Sequence, residues 1–159
     1  MASNLIITSV ERLQEETTRH LKGVSGMPTI FICMNKTQKS TEELLRSSGL
    51  DVSRIFFIDC VSADHIKDDI LHIPPHQLEL LGTAIGAFIK EIPGKKTLVI
   101  DAISTLLIYN DENKVAKFVR LITELGSKNE VEILAFSPKT RGEELLDKIF
   151  NFFDKVEKR

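Results

Sequence analysis

The sequence predicts an α/β protein, a doubly wound three-layer α/β/α domain on a mainly parallel sheet of five or six strands. Short runs of Ile, Leu, Val and Phe, apolar at nearly every position, alternate with longer segments whose apolar residues recur at helical spacing. A strand that is apolar on both faces must be covered on both. A parallel sheet between two helix layers does this, and a half-solvated antiparallel sheet does not. Glycine and proline mark the boundaries, at Gly26, Pro28, Gly49, Pro93 and Gly94. With 159 residues, 42% hydrophobic and 28% charged, the chain has the size and composition of one globular domain spanning residues 1–159.

The first strand is read at residues 5–8. Val10, Leu13, Thr17, Leu21 and Val24 then share one helical stripe, with Ser9 as the N-cap. A second strand follows at 29–34. Ser40 and Glu43 form a capping box for the next helix, and Gly49 stops it with Leu50 placed for the apolar contact such ends make. The third strand, 55–58, delivers Asp59 and Cys60. Residues 61–75 read as an irregular connection, long for a compact α/β unit. Pro74 and Pro75 lead into a helix whose wide apolar face carries Leu78, Leu81, Ile85, Phe88, Ile89 and Ile92.

Pro93 and Gly94 break that helix before a fourth strand at 97–101. Asn110 or Asp111 opens a helix with Val115, Phe118, Val119, Ile122 and Leu125 inward, and Gly126 closes it. The fifth strand spans 131–136. Thr140 and Glu143 make a second capping box, Leu145, Leu146, Ile149 and Phe150 line the last helix, and residues 151–156 supply a short final strand.

Composition excludes several classes of function. A net charge of −2 gives no electrostatic footprint for nucleic acid. No apolar run approaches the ~20 residues of a membrane span, and the chain opens on a strand rather than a signal sequence. Cys33 and Cys60 sit far apart in apolar runs and read as reduced thiols. The expected location is the cytoplasm.

In doubly wound folds ligands bind beyond the carboxyl ends of the strands. The residues to examine are therefore Thr8 and Ser9, Asn35 and Lys36, Asp59, Asp101 with Ser104, and Ser137 with Lys139. Asp101 stands out. An apolar strand delivers its carboxylate, and Ser104 and Thr105 follow at once, as where a magnesium-orienting Asp is held.

Residues 96–156 resemble the core of the RecA-type ATPases, in particular the KaiC/RadA-like branch common in archaea. Leu98-Val99-Ile100-Asp101-Ala102-Ile103-Ser104 matches the family strand that ends in Asp and small hydroxyl residues. Ile122-Thr123-Glu124-Leu125-Gly126 and Ile133-Leu134-Ala135-Phe136-Ser137 match the helix and strand that follow, and Phe153-Asp154-Lys155-Val156 the terminal strand apart from Lys155. The resemblance implies a RecA-like P-loop NTPase topology. It implies Thr8, Ser9, Asp101 and Ser104 as the cofactor-binding positions, with Asp101 at the metal position.

Two departures bear on activity. The family's first strand leads into Gly-x-x-x-x-Gly-Lys-Ser/Thr, whose amides and Lys neutralise phosphates. Here Leu5-Ile6-Ile7-Thr8-Ser9-Val10-Glu11-Arg12 contains no glycine, and the next Lys is Lys22. After the second strand the family has an acidic pair; this chain has Met34-Asn35-Lys36-Thr37-Gln38, with no carboxylate before Glu42. Thr8, Ser9, Asp101 and Ser104 are accordingly read as vestigial cofactor positions. No ATP hydrolysis and no cofactor are expected, which leaves weak nucleotide or magnesium binding open. The expected role is a regulatory or scaffolding protein-interaction module, docking on itself or on another RecA-type ATPase.

An alternative is a receiver-like signalling domain phosphorylated at Asp59, with Ser104 and Lys139 completing the set. Receivers place an acidic pair after the first strand, where this chain has Thr8-Ser9. His65, Asp68, Asp69, His72 and His76 populate one loop, at spacings that match no compact tetrahedral zinc signature. No Gly-x-Ser-x-Gly marks a serine hydrolase. Gly82 and Gly86, four apart on one helix, suit close approach to the sheet or to a partner helix.

Overall fold

A computed structural model describes residues 1–61, 70–139 and 143–159. β1 (Ser3–Thr8) leads through a 3-10 turn at Val10–Arg12 into α1 (Leu13–Gly23), and β2 (Thr29–Cys33) leads into α2 (Gln38–Ser47). β3 (Ile55–Asp59) and the two-residue β4 (Leu71–His72) precede α3 (Leu78–Glu91). β5 (Lys96–Ile100) is followed by a 3-10 helix at Ile103–Ile108 and by α4 (Glu112–Lys128). Then come β6 (Val131–Pro138), α5 (Glu143–Ile149) and β7 (Lys155–Lys158). Among the described residues the seven strands form one sheet, ordered β4-β3-β2-β5-β6-β1-β7, with every neighbouring pair parallel.

Strand periodicity divides the core in two. Leu5, Ile7, Ile30, Ile32, Leu98, Ile100, Ile133 and Ala135 face α3, α4 and α5. Ile6, Phe31, Cys33, Val99, Leu134 and Phe136 face α1 and α2. Because side chains alternate at period two, a one-residue slip would exchange these sets, so burial on both sides fixes each strand's register. The parallel three-layer domain is the one that the sequence predicts. β4 is the addition: within the segment read as irregular, Leu71 and His72 pair with Ile58 and Asp59. The last strand lies at Lys155–Lys158, two residues beyond the expected end, and pairs with β1.

Several helix ends differ from expectation, each for a local reason. α2 is capped by Thr37, whose hydroxyl accepts the Ser40 amide at 3.2 Å, instead of by a Ser40–Glu43 box. Its other end is as read. Gly49 takes a φ of 86°, its amide and that of Leu50 bond back to Arg46 and Leu45, and Leu50 packs on the α1/α2 core. α4 is capped by Asp111, which accepts from the Lys114 amide at 2.9 Å. Ser9 makes no side-chain cap bond, and Val10, expected on the buried stripe, is 58% exposed in the 3-10 turn. The Thr140–Glu143 box lies outside the described residues at Thr140.

Glu16 on α1 is buried, with Arg12 at 3.5 Å and Arg19 at 2.7 Å. Burial works against its charge, but Arg19, Arg159 and His20 outweigh it and hold the carboxyl below its ordinary range. His20 also reaches Glu157 at 3.5 Å, tying α1 to β7.

Gly126 does not end α4, which runs on to Lys128. A Cβ there would stand 2.5 Å from Ile133 Cδ1 and 3.2 Å from its Cγ1, so this glycine lets α4 lie against β6. Gly126→Ala gains about 1 kcal/mol of helix propensity against about 1–3 kcal/mol of overpacking. The expected outcome is a lower melting temperature, partly recovered by adding Ile133→Val, as read by thermal denaturation. Gly82 faces α4 rather than the sheet: an added Cβ would touch Leu121 at 3.4 Å.

Candidate functional site

The switch points of the sheet locate the site. β2 continues toward the α1/α2 face, whereas its neighbour β5 continues toward α4 on the other; β1 and β6 diverge in the same way. Divergent connections leave a crevice between two strand ends, and that is where doubly wound proteins take ligands. At each crevice, main-chain amides of one strand end bond to an acceptor of the other.

Between β5 and β2, Asp101 turns its carboxylate toward the main chain that leaves β2. Its Oδ1 accepts the Met34 amide at 2.7 Å and the Asn35 amide at 3.2 Å. Met34 is buried, so the bond satisfies a donor that water cannot reach. Burial raises the Asp101 carboxyl to about 7, against the opposing pull of the Met34 and Asn35 amides and of Lys36. Ser104 is buried on the 3-10 helix that follows.

Between β1 and β6, the Lys139 amide donates to the Thr8 carbonyl at 2.8 Å and extends the ladder past the last paired residue. Thr8 is fully buried, and its hydroxyl has no hydrogen-bond partner among the described residues. The Ser9 carbonyl accepts the Arg12 amide at 3.1 Å, so the chain turns from strand to helix within one 3-10 turn. Ser137 is buried and donates to the Pro138 carbonyl at 3.4 Å.

Asp59 acts likewise across β3 and α2. Its Oδ2 accepts the Gln38 amide at 3.0 Å, at the first turn of α2, and its Oδ1 accepts the Val61 amide at 2.8 Å. An acceptor there also meets the partial positive charge of the helix start. The Cys60 amide donates to the Cys33 carbonyl at 2.9 Å. Both thiols are buried: burial, with Asp101, pushes Cys33 far up, and burial, with Asp59 and Asp101, pushes Cys60 up to about 12. Neither is a nucleophile in this state.

Asp101 and Asp59 thus sit at the predicted strand ends, and Asn35 contributes its amide to Asp101. Thr8 and Asp101 end strands that flank β6 and are not neighbours in the sheet. His65, Asp68 and Asp69 lie outside the described residues. Among the described residues no group of three or more His, Cys, Asp or Glu side chains gathers to hold a metal, and no helix is long and apolar enough to cross a membrane. Sequence reasoning missed the amides of Met34, Gln38 and Val61. A main-chain donor carries no residue signature, and the only available hint was a carboxylate at each strand end.

No protein-family model matches the sequence, and neither does any curated protein. Solved structures do resemble the fold. A KaiC-like protein from the hyperthermophilic archaeon Pyrococcus horikoshii OT3 aligns with a TM-score of 0.67 at 16% identity, over 98% of this chain and 69% of that one. A second protein from that organism aligns with a TM-score of 0.62 at 12% identity, over 99% of this chain and 81% of its own. At such identities the likeness establishes a KaiC/RecA-like α/β/α fold, and the strand order is consistent with RecA-like topology.

Proposed function

We propose that this KaiC/RecA-like domain does not hydrolyse nucleotide and works as a regulatory or scaffolding protein-interaction module. One observation carries the reading. Asp101, the carboxylate placed where a metal orienter would stand, is turned onto the Met34 and Asn35 amides of the neighbouring strand end. Phosphoryl transfer is catalysed almost entirely by positioning and charge stabilisation. Two amides already bond to the Asp101 Oδ1, which holds the carboxylate against the main chain rather than toward a cation. The turn after β1 supports the same reading: it carries no glycine and no Lys, and Glu11 in it opposes an anion at the helix start.

Within this reading Thr8, Ser9, Asp101 and Ser104 are vestigial positions that now serve the fold, the phosphate loop is degenerate, and the partner is another protein, a second copy or a RecA-type ATPase. A cytoplasmic setting suits the two buried thiols. Phosphorylation at Asp59 is disfavoured, because both of its oxygens already accept amides. The test is phosphate release by the purified chain with magnesium and ATP. Release at the buffer rate is expected; turnover that scales with protein and disappears in Asp101→Asn would overturn the proposal.

A further inference from the structure

α3 and α4 pack side by side on one face of the sheet, and an open groove of about 680 Å³ runs along their seam near the start of α3. Its apolar surface is unusually bare. Leu80 on α3 and Leu121 on α4 are 49% and 47% exposed, and Ile108 and Tyr109, just before Asn110 on the rim, are 64% and 52% exposed. Isolated exposed leucines are ordinary, but two facing each other across a groove form a patch. The rest of the groove is well built. Asn110 donates to the Pro75 carbonyl at 2.9 Å and closes one end, and Gly82 leaves room for Leu121 to lie across α3.

Charge is divided between the banks. The α3 side carries Glu79, with His76 just before the helix; the α4 side carries Lys114 and Lys117. Glu79, Lys114 and Lys117 are exposed and make no ion pair among the described residues. This arrangement is self-complementary. A two-fold axis parallel to the groove lays α3 of one copy over α4 of the other at the same height. Each Glu79 then meets the lysines of its partner, and the Leu80 and Leu121 side chains close over one another. Isologous contacts of this kind are the commonest route to a symmetric dimer.

We infer that the α3/α4 groove is a dimerisation surface whose occupant is a second copy of this chain. The inference deepens the protein-interaction reading by naming the partner. Sedimentation equilibrium of the full chain over about 5 µM to 500 µM, the range in which dimers of modest affinity form, reads it directly. A concentration-dependent dimer is expected. Leu121→Glu weakens it by ~10-fold or more, as for a central apolar contact. Glu79→Lys and Lys117→Glu each weaken it, and the two together restore it in part.

Circular dichroism of each variant separates dissociation from unfolding, since all three substituted residues are on the surface. A chain that stays monomeric throughout, or a dimer indifferent to Leu121→Glu, overturns the inference and leaves the groove to a different protein. Either result leaves the nucleotide reading standing, because that reading is decided by phosphate release.

Discussion

Asp101→Ala is expected to be about 2 kcal/mol less stable than Asp101→Asn at about pH 5, where Asp101→Asn is at least as stable as the wild type. The alanine variant removes the acceptor of the buried Met34 amide and of the Asn35 amide. Asparagine keeps it, because both amides bond to the same oxygen, Oδ1, and an asparagine carbonyl can occupy that position. The pH dependence separates the variants further. Unfolded, the carboxyl titrates near 3.8; folded, burial holds it at about 7. Between these values the folded chain binds the additional proton, so wild-type stability falls as pH rises through that window.

Above pH 7 the wild type holds a buried charge that asparagine lacks. Asp101→Asn is then expected to be the more stable by about 2 kcal/mol, below the ceiling that ~1.4 kcal/mol per unit would allow. Urea denaturation at about pH 5 and about pH 8.5 reads both effects. A wild type whose stability rises across that interval, with Asp101→Asn following it in parallel, would contradict the assignment.

Asp59 should respond differently to the same substitution. Its two amide donors use separate oxygens, Gln38 on Oδ2 and Val61 on Oδ1. Asparagine can accept only one of them and turns an NH2 group toward the other, donor against donor. Asp59→Asn is therefore expected to cost about 1–2 kcal/mol and Asp59→Ala about 2–3 kcal/mol, since Asp59 is buried. Equal tolerance of asparagine at both positions, measured by the same denaturation series, would mean that one of the two geometries is wrong.

These carboxylates also show how much was legible in the sequence. The fold was, because apolar runs such as Leu98–Ile100 and Ile30–Ile32 demand cover on both faces and helical stripes such as Val115–Phe118–Ile122 supply it. Element ends were less so. Gly126 carries the signature of a helix terminus, but its use here is close approach to Ile133, a long-range contact that no local pattern contains. Glu16 looks like one charge on a solvated helix face until Arg19 and the distant Arg159 are brought beside it.

The site was legible as positions and illegible as bonds. Asp59 and Asp101 stand where doubly wound folds keep functional groups, and a sequence cannot show whether such a carboxylate faces solvent or a neighbouring amide. The groove between α3 and α4 was hidden for a related reason. Leu80 and Leu121 each read as one more apolar residue on an amphipathic helix until the helices are set side by side.

The central claim is that the strand-end carboxylates Asp101 and Asp59 bond to this domain's own backbone, and that Asp101 does not hold the metal of a bound nucleotide. Its most direct test is a calorimetric titration of magnesium-ATP into the wild-type chain at neutral pH, carried to millimolar nucleotide. Heats that match dilution are predicted; a saturable isotherm that Asp101→Asn abolishes while the protein stays folded would contradict it.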